Sequence, residues 1–400
     1  MSNKLNTIKE AIEDIRKGKI IIVVDDENRE NEGDFVTAAQ LITSEKVNFM
    51  LQNGRGLLCT AIDKKRARDL SLDLMMQKNT SLHETPFTIS VDLLGQGCTT
   101  GISADDRAKT IKALVDPKIK ANQLARPGHI FPLLAQDRGV LDRNGHTEAV
   151  VDITRLAGLK PGGALIEILK PNGKMARLPD LFKIAKKFNL KIVSIKDLIE
   201  YRKLHDSITE VSKEAKLPTK FGEFKIQAFR DIEEKEHLIL SKGNISKKTP
   251  LVRVHSECLT GDVFLSRKCD CGAQLHKSMK LISEYGSGMI IYLRQEGRGI
   301  GLLNKINAYY LQNKGRDTVE ANLELGFKKD HRDYSVAAAI LKNKKISKIK
   351  LITNNPHKIQ ELRTYGVKIL ERVEINTEVN IYNKKYLKTK NKKLDHKLKI

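Results

Sequence analysis

Residues 251–292 read LVRVHSECLTGDVFLSRKCDCGAQLHKSMKLISEYGSGMIIY, and the fold turns on this run. It opens on a short β-branched segment at 251–254, passes three cysteines, and enters a helical stretch at 270–284. A second apolar segment follows at 289–292. Downstream the pattern repeats, with helical stretches at 302–313 and 334–341 and a strand at 348–352. Strands alternating with helices argue an α/β fold. Upstream the signals are mixed. KIIIVV at 19–24 reads as a buried strand, and Ile8, Ile12 and Ile15 recur at helical spacing before it. Residues 47–52 and 105–115 read as helices, the latter with Ser103 as N-cap. FTISVDL at 87–93 alternates like a strand, and 126–145, rich in Gly, Pro and Arg, reads as loop. An amphipathic helix is expected at 178–188 and a strand at 190–194. The N-terminal half is therefore expected to be α+β. Apolar density drops over 203–220, which places a domain boundary there. No repeat of fixed period is visible.

At 400 residues the chain is long enough for two to three domains of roughly 150 residues. Apolar residues make up 40% and charged residues 30%, which excludes disordered and fibrous classes. No segment approaches the ~20 apolar residues of a membrane helix, and residues 1–19 lack the apolar block of a secretory signal. Five cysteines, an odd number, argue against a disulfide framework. A reduced, cytoplasmic setting is expected. The net charge is +23 and uneven: residues 1–200 carry 31 basic against 26 acidic residues, residues 201–400 carry 41 against 23. A basic half suits nucleic acid, an anionic membrane or an anionic small substrate. Residues 381–400, with eight lysines and one aspartate, read as a solvated tail.

Cys258, Cys269 and Cys271 fall within fourteen residues, spaced C-x10-C-x-C. Thiolates so spaced suit tetrahedral zinc. Three protein ligands leave a position for water, as in catalytic sites; His255 as a fourth ligand would close a structural site instead. The bland alternative is three ordinary buried cysteines. H-x-E at 255–257 invites comparison with zinc deaminases, but there P-C-x-x-C follows, and here Cys258 comes at once. A second signal is RQEGRGIG at 294–301. Its glycines let a backbone approach phosphates and its arginines pair with them. The spacing fails G-x-G-x-x-G, and no Walker A motif occurs. DHRD at 330–333 and TNNPHK at 353–358 complete the set; the latter ends a strand, where α/β sheets bind ligands.

Together HSECLTGD, KCDCGAQL, RQEGRGIGLLNK, DTVEANLELGF, DHRD and TNNP resemble GTP cyclohydrolase II, over about residues 217–390. The resemblance implies opening of the guanine imidazole ring at C8, with loss of formate and pyrophosphate. It implies one zinc on Cys258, Cys269 and Cys271. It implies GTP contacts at Arg253, Val254, His255, Ser256, Glu257, Gln274, Glu296, Gly297, Arg298, Thr318, Thr353 and Lys358. Arg332 matches the family's nucleophile toward the α-phosphorus, Asp330 its proton acceptor, and Tyr309 a tyrosine near the zinc-bound water.

In the first half, DDENRENEGD at 25–34 has six carboxylates in ten residues. A solvated acidic turn is the plain reading. An EF-hand fails, since position six is Glu30 rather than Gly. Mg²⁺, held by one or two carboxylates plus substrate phosphate, is the sharper reading. RPGH at 126–129 and RNGHTE at 143–148 add histidines and arginines on Gly-rich loops. These stretches, with TTGISADDR, resemble 3,4-dihydroxy-2-butanone-4-phosphate synthase over about residues 7–204. The resemblance implies conversion of ribulose 5-phosphate to 3,4-dihydroxy-2-butanone 4-phosphate plus formate. It implies Mg²⁺ or Mn²⁺ on Glu30 and His146. It implies substrate contacts at Arg29, Glu30, Asp34, Arg143, Asn144, Gly145, His146, Thr147 and Glu167, with His129 and Glu167 essential. An enediol chemistry needs a base beside a carbonyl and a metal for the developing charge. Cys59 and Cys98 read as packing residues.

The whole chain thus resembles the bifunctional riboflavin biosynthesis enzymes. It is expected to hold two catalytic domains in tandem, residues 1–204 and 205–400, each a mixed sheet with flanking helices. The resemblance implies a homodimer, with small-molecule substrates and no nucleic acid or membrane partner. A basic zinc-containing nucleic-acid-binding protein is the rival. It explains the charge, but aromatics are only 5% and Trp is absent, so stacking platforms are scarce. A bifunctional relic with one merely structural half is opposed by the motifs retained in both halves.

Overall fold

A computed structural model describes residues 4–245, 248–327, 330 and 332–393. The chain divides into two compact units, Met1–Arg202 and Lys203–Ile400.

The first unit is built on a 7-stranded mixed sheet. Its strands are β1 (Ile21–Val24), β2 (Gly33–Ala38), β3 (Cys59–Ile62), β4 (Val91–Leu93), β5 (Leu124–Leu134), β6 (Gly162–Glu167) and β7 (Ile192–Ser194). They lie in the order β4-β5-β3-β6-β2-β1-β7. β3 and β5, and β1 and β7, run parallel; the other pairs are antiparallel. Ile22 and Val24 enter one core with Phe35 and Met50, while Ile21 and Val23 enter another with Val36 and Ile15. Both faces are covered, so β1 reads as an unbroken apolar run rather than an alternation. Helices Ser44–Gly54, Ala104–Leu114 and Leu178–Phe188 pack on the first face, Ile8–Arg16 and His146–Leu156 on the second. Ser103 caps its helix as expected, accepting from the Asp106 N–H at 3.0 Å.

Two expectations change here. Residues 87–93 are a strand only at Val91–Leu93; Phe87 and Thr88 make isolated bridges to Leu133 and Leu74. The expected loop at 126–145 begins inside β5. The pairing jumps from Ala125, opposite Asp92, to Ile130, opposite Val91, so residues 126–129 bulge from the ladder. Pro127 has no N–H to pair, and a Cβ on Gly128 would meet the Val91 carbonyl carbon at 2.1 Å. Composition thus marked the bulge and missed the strand around it.

The second unit holds an 8-stranded sheet, β15-β14-β12-β13-β11-β10-β8, with β9 paired to β10. The ranges are β8 Ile208–Val211, β9 Ala215–Thr219, β10 Gly222–Asp231, β11 Glu236–Lys242, β12 Leu251–Ser256, β13 Gly288–Leu293, β14 Lys348–Ile352 and β15 Lys368–Val373. β12 runs parallel to β13 and β14, and β14 to β15; β11 is antiparallel to β10 and β13. Val252, Val254, Ile291 and Leu293 face a core with Ala337 and Leu341; Leu251 and Ile290 face Met279 and Ile282. The polar stretch at 203–220, where the domain boundary is expected, contains β8 and β9. Their side chains are mostly exposed, so edge strands here carry the polar composition of a linker.

Candidate active sites

β12 and β13 end opposite each other at Ser256 and Leu293, and the parallel β14 ends at Ile352 on the same side of the sheet. The segments leaving those ends carry HSEC, RQEGRGIG and TNNP, so a parallel sheet brings three distant motifs together. They surround a cavity that opens to solvent. The sulfurs of Cys258, Cys269 and Cys271 lie within 4.8 Å of one another. Gly261 makes room for them: a Cβ there would meet Cys269 Sγ at 2.8 Å and Cys258 Sγ at 3.1 Å. Three converging free thiols with no disulfide fit a tetrahedral zinc. His255 is engaged through one ring nitrogen, while its buried Nδ1 has no hydrogen-bond partner. Its Nε2 lies 3.1 Å from both Asp262 carboxylate oxygens, and its ring stacks on Tyr292. The four-ligand reading is corrected on distance: among the described residues the group whose ligand atoms fall within 4.8 Å of one another is the three cysteines, without His255.

Across the cavity, Lys305 Nζ donates to Cys258 Sγ at 3.2 Å, Thr260 Oγ1 at 2.9 Å and Glu296 Oε1 at 2.8 Å. Tyr309 Oη lies 3.1 Å from Thr260 Oγ1. Arg253 bonds Gln274 Oε1, Gln274 Nε2 donates to Asp270 Oδ2 at 2.6 Å, and Lys390 Nζ donates to Asp270 Oδ1 at 2.6 Å. Arg253 Nε and Arg298 Nη1 are buried with no hydrogen-bond partner. Buried donors left unpaired are costly, which fits a polar, anionic ligand between them. Gly297 and Arg298 both take positive φ, 61° and 63°, turning the glycine loop sharply at the cavity wall.

The three thiols titrate as one group. Hydrogen bonds from Cys269 and Cys271, then the Lys305 charge, hold Cys258 far below the usual thiol range. Ionised Cys258 in turn pushes Cys269 up to about 11. Burial, aided by Arg253 and Arg332, drives Lys358 well down. Burial works against the Arg332 charge, but Tyr334 and Asp330 outweigh it and push its pKa up.

In the first unit, the turn after β1 winds around Asp25. Its carboxylate accepts from the Glu30 N–H at 3.0 Å, the Glu32 N–H at 2.8 Å and Arg29 at 3.0 Å. Glu30 Oε2 lies 3.5 Å from His146 Nδ1, and His146 opens its helix behind the N-cap Gly145. Ligand atoms of Asp25, Glu30 and His146 all fall within 4.8 Å. Asp34 and Glu167 sit opposite each other across β2 and β6. Asp34 Oδ1 and His146 Nε2, 4.0 Å apart, are buried without a hydrogen-bond partner. Burial, with Glu167 and Glu30, raises Asp34 to about 7 against the pull of His146. Burial opposes charge on His146, but Asp34, Glu30 and Asp25 raise it to about 9. Carboxylates gathered around one imidazole, with Arg29 bridging Asp25 and Glu30 at 3.0 and 2.7 Å, fit a divalent cation.

Two family models match the chain: 3,4-dihydroxy-2-butanone 4-phosphate synthase over residues 9–201 and GTP cyclohydrolase II over residues 209–374. It is 60% identical over 395 residues to the riboflavin biosynthesis protein RibBA of Cytophaga hutchinsonii, with 98% of each chain covered. Identity to RibBA of Parabacteroides distasonis is 56% over 397 residues, covering 99% of this chain and 98% of that one. The chain belongs to the RibBA family. It is a bifunctional enzyme of riboflavin biosynthesis, a lyase and a hydrolase on one polypeptide. A crystal structure of RibBX, a two-domain 3,4-dihydroxy-2-butanone 4-phosphate synthase from A. baumannii, matches 93% of this chain and 100% of its own, at 33% identity and a TM-score of 0.59. These matches do not favour the nucleic-acid-binding alternative.

In this RibBA-family chain, every residue named from sequence in the second unit lines the cavity except two. The Val254 side chain is in the core and its carbonyl accepts from Lys358 Nζ at 2.6 Å; Asp330 stands behind Arg332. In the first unit Arg29, Glu30, Asp34, His146 and Glu167 converge, with Thr147 buried beside them. Arg143 turns to Glu148 Oε2 at 2.8 Å, and Asn144 lines a hollow with Arg29 and Lys196. His129 is placed elsewhere. It sits on the β5 bulge with Nδ1 2.6 Å from Asp92 Oδ2, and β3 and β6 separate β5 from β2. Cys59 is a buried β3 residue, as read.

Sequence reading missed Lys305, Tyr386 and Lys390 on the cavity wall. Helical spacing was the available signal: Lys305 precedes Tyr309 by four, and Tyr386 precedes Lys390 by four. The lysine-rich stretch is accordingly more than a solvated tail. Lys384–Lys393 is a helix, and Lys390 is buried against Asp270. Residues 394–400, and His331 within DHRD, lie outside the described residues.

Proposed function

We propose that the second unit binds GTP in the cavity and opens its guanine ring at C8, releasing formate and pyrophosphate. The observation that carries this is the meeting of three cysteine sulfurs, Tyr309 and two unpaired arginine donors in one cavity. Cys258, Cys269 and Cys271 would hold a zinc ion, which would acidify water for the attack on C8. Gln274, Glu257 and Glu296 offer acceptors to the guanine edge, with His255, Ser256 and Gly297 beside them. Arg253, Arg298, Lys358, Thr318 and Thr353 contact the nucleotide, whose triphosphate carries about four negative charges that a cationic cleft attracts. Tyr309 holds a proton beside the cysteine cluster. Arg332 attacks the α-phosphorus and Asp330 takes the arginine proton as pyrophosphate leaves. With [8-¹³C]GTP, labelled formate is expected; unlabelled formate or none contradicts this reading.

The first unit takes ribulose 5-phosphate to 3,4-dihydroxy-2-butanone 4-phosphate and formate. Glu30 and His146, with Asp25 adjacent, would hold Mg²⁺ or Mn²⁺, which would supply positive charge beside the substrate carbonyl. Arg29, Asp34, Arg143, Asn144, Gly145, Thr147 and Glu167 hold the sugar phosphate. His129 is three strand spacings from Asp34, about 14 Å at ~4.8 Å each. A homodimer would let His129 act on a second copy's site. Mixing inactive His129→Ala and Glu30→Ala chains should then restore part of the ribulose 5-phosphate activity; no restoration contradicts shared sites. Among the described residues no helix is long and apolar enough to cross a membrane, and we place the enzyme in the cytoplasm.

A further inference from the structure

Lys305 is a buried lysine with a side chain 10% exposed, on helix Gly301–Asn313, four residues before Tyr309. Its three hydrogen bonds go to three different working parts of the cavity. Cys258 is a cysteine of the cluster, Glu296 lies on the glycine loop, and Thr260 bonds the Tyr309 hydroxyl. Glu296 is also held by its other oxygen, which accepts from the Leu259 N–H at 2.6 Å, and by the Gly297 N–H at 2.9 Å. A cysteine sulfur and a carboxylate therefore share one ammonium in a largely buried wall. Remove it, and the Cys258 sulfur and the Glu296 carboxylate both lose a buried hydrogen-bond donor.

We propose that Lys305 is a positioning residue that couples the metal half of the cavity to its base-reading half. It holds the Cys258 sulfur in the donor set, fixes Glu296 toward the purine, and sets Tyr309 through Thr260. The inference rests on the GTP and zinc reading above. A bare Lys305–Glu296 structural ion pair is the competing account, and it makes different predictions. Groups that orient and polarise metal ligands are typically worth about 10–100-fold in metal affinity or activity. A simple ion pair leaves the metal untouched.

The test uses the full chain and two variants, Lys305→Met and Lys305→Arg. Zinc affinity is read by chelator competition, and the cobalt(II)-substituted protein reports its thiolate-to-metal charge-transfer band. GTP turnover is split into kcat and KM. For Lys305→Met we expect zinc held about tenfold or more weakly, a charge-transfer band moved to longer wavelength, and a fall in kcat together with a rise in KM. Lys305→Arg keeps the charge and should recover part of the zinc affinity. If Lys305→Met loads zinc with wild-type affinity and an unmoved band, the inference is overturned, whatever happens to turnover. If Lys305→Met does not fold, Lys305→Arg decides: a wild-type band and KM with lowered stability alone overturns it. A wild-type chain that binds no zinc overturns the underlying zinc reading instead, and shows itself before any variant is made.

Discussion

Arg332 and Asp330 form a forked ion pair within a single turn of chain. Arg332 Nε lies 2.9 Å from Asp330 Oδ1 and 3.1 Å from Oδ2, and Nη2 meets Oδ2 as well. The Arg332 N–H also donates to Asp330 at 3.0 Å, so the backbone fixes the pair. Arginine stays protonated below about pH 12 and is a poor nucleophile until a proton leaves. Asp330 is the acceptor already in contact.

This separates two roles for Arg332. As a phosphate clamp, Arg332→Lys should keep a useful fraction of the rate, losing about 1.5–3 kcal/mol for a charged hydrogen bond. As a nucleophile, Lys and Ala variants should both lose nearly all GTP turnover, and wild type should yield a trappable guanylylated protein. We expect the second outcome, read by single-turnover kinetics and intact mass.

Removing divalent metal should silence the first unit. His146→Ala and Glu30→Gln should each lose ribulose 5-phosphate turnover, and metal-stripped wild type should regain it on adding Mg²⁺ or Mn²⁺. Full activity in metal-free protein, with the zinc content of the same sample measured, would show that the acidic turn holds no working cation.

Lys390 reaches the nucleotide cavity from the C-terminal helix and pairs with buried Asp270, which orders Gln274. Lys390→Met should raise KM for GTP about tenfold or more, the scale of a charged hydrogen bond, and leave ribulose 5-phosphate kinetics unchanged. An unaltered KM would return this helix to the status of a solvated tail.

Asp231 and His237 form a buried pair at 2.8 Å behind the glycine loop, and His237 Nδ1 accepts from the Arg294 N–H at 3.0 Å. Burial works to raise the Asp231 pKa, but His237 and the Lys235 and Glu233 N–H groups outweigh it and hold it below the ordinary value. A depressed carboxyl contributes stability above its unfolded pKa, about 3.9, and loses it as pH falls through the lower folded value. Asp231→Asn should therefore destabilise by about 1–3 kcal/mol at neutral pH, with the gap from wild type closing in acid. Denaturant unfolding across pH checks this; a gap independent of pH would refute it.

Much of the site was legible because its chemistry is local in sequence. The cysteine spacing, the glycine loop and the acidic turn each carry their meaning within a dozen residues. Helix 178–188 and strand 348–352 were legible for the same reason, since an amphipathic period or a β-branched run states its own burial. What was lost depended on distant partners. β5 is read as loop because Arg126–Pro127 bulges out of a ladder that only β3 and β4 reveal. β8 and β9 look like linker because edge strands keep their side chains in water. Lys305 and Lys390 look like surface lysines until Cys258, Glu296 and Asp270 are folded against them. His255 looked like a fourth metal ligand until the fold gathered the three cysteine sulfurs without it.

Two active sites, one in each unit, are expected to work independently on this chain. The most direct measurement is formate released from GTP and, separately, from ribulose 5-phosphate, by wild type, Cys269→Ser and His146→Ala proteins, with zinc counted in each. The account predicts that Cys269→Ser loses its zinc and GTP-derived formate but keeps ribulose-derived formate, and that His146→Ala does the reverse. Loss of both activities in either folded variant, or GTP turnover surviving in zinc-free Cys269→Ser, would contradict it.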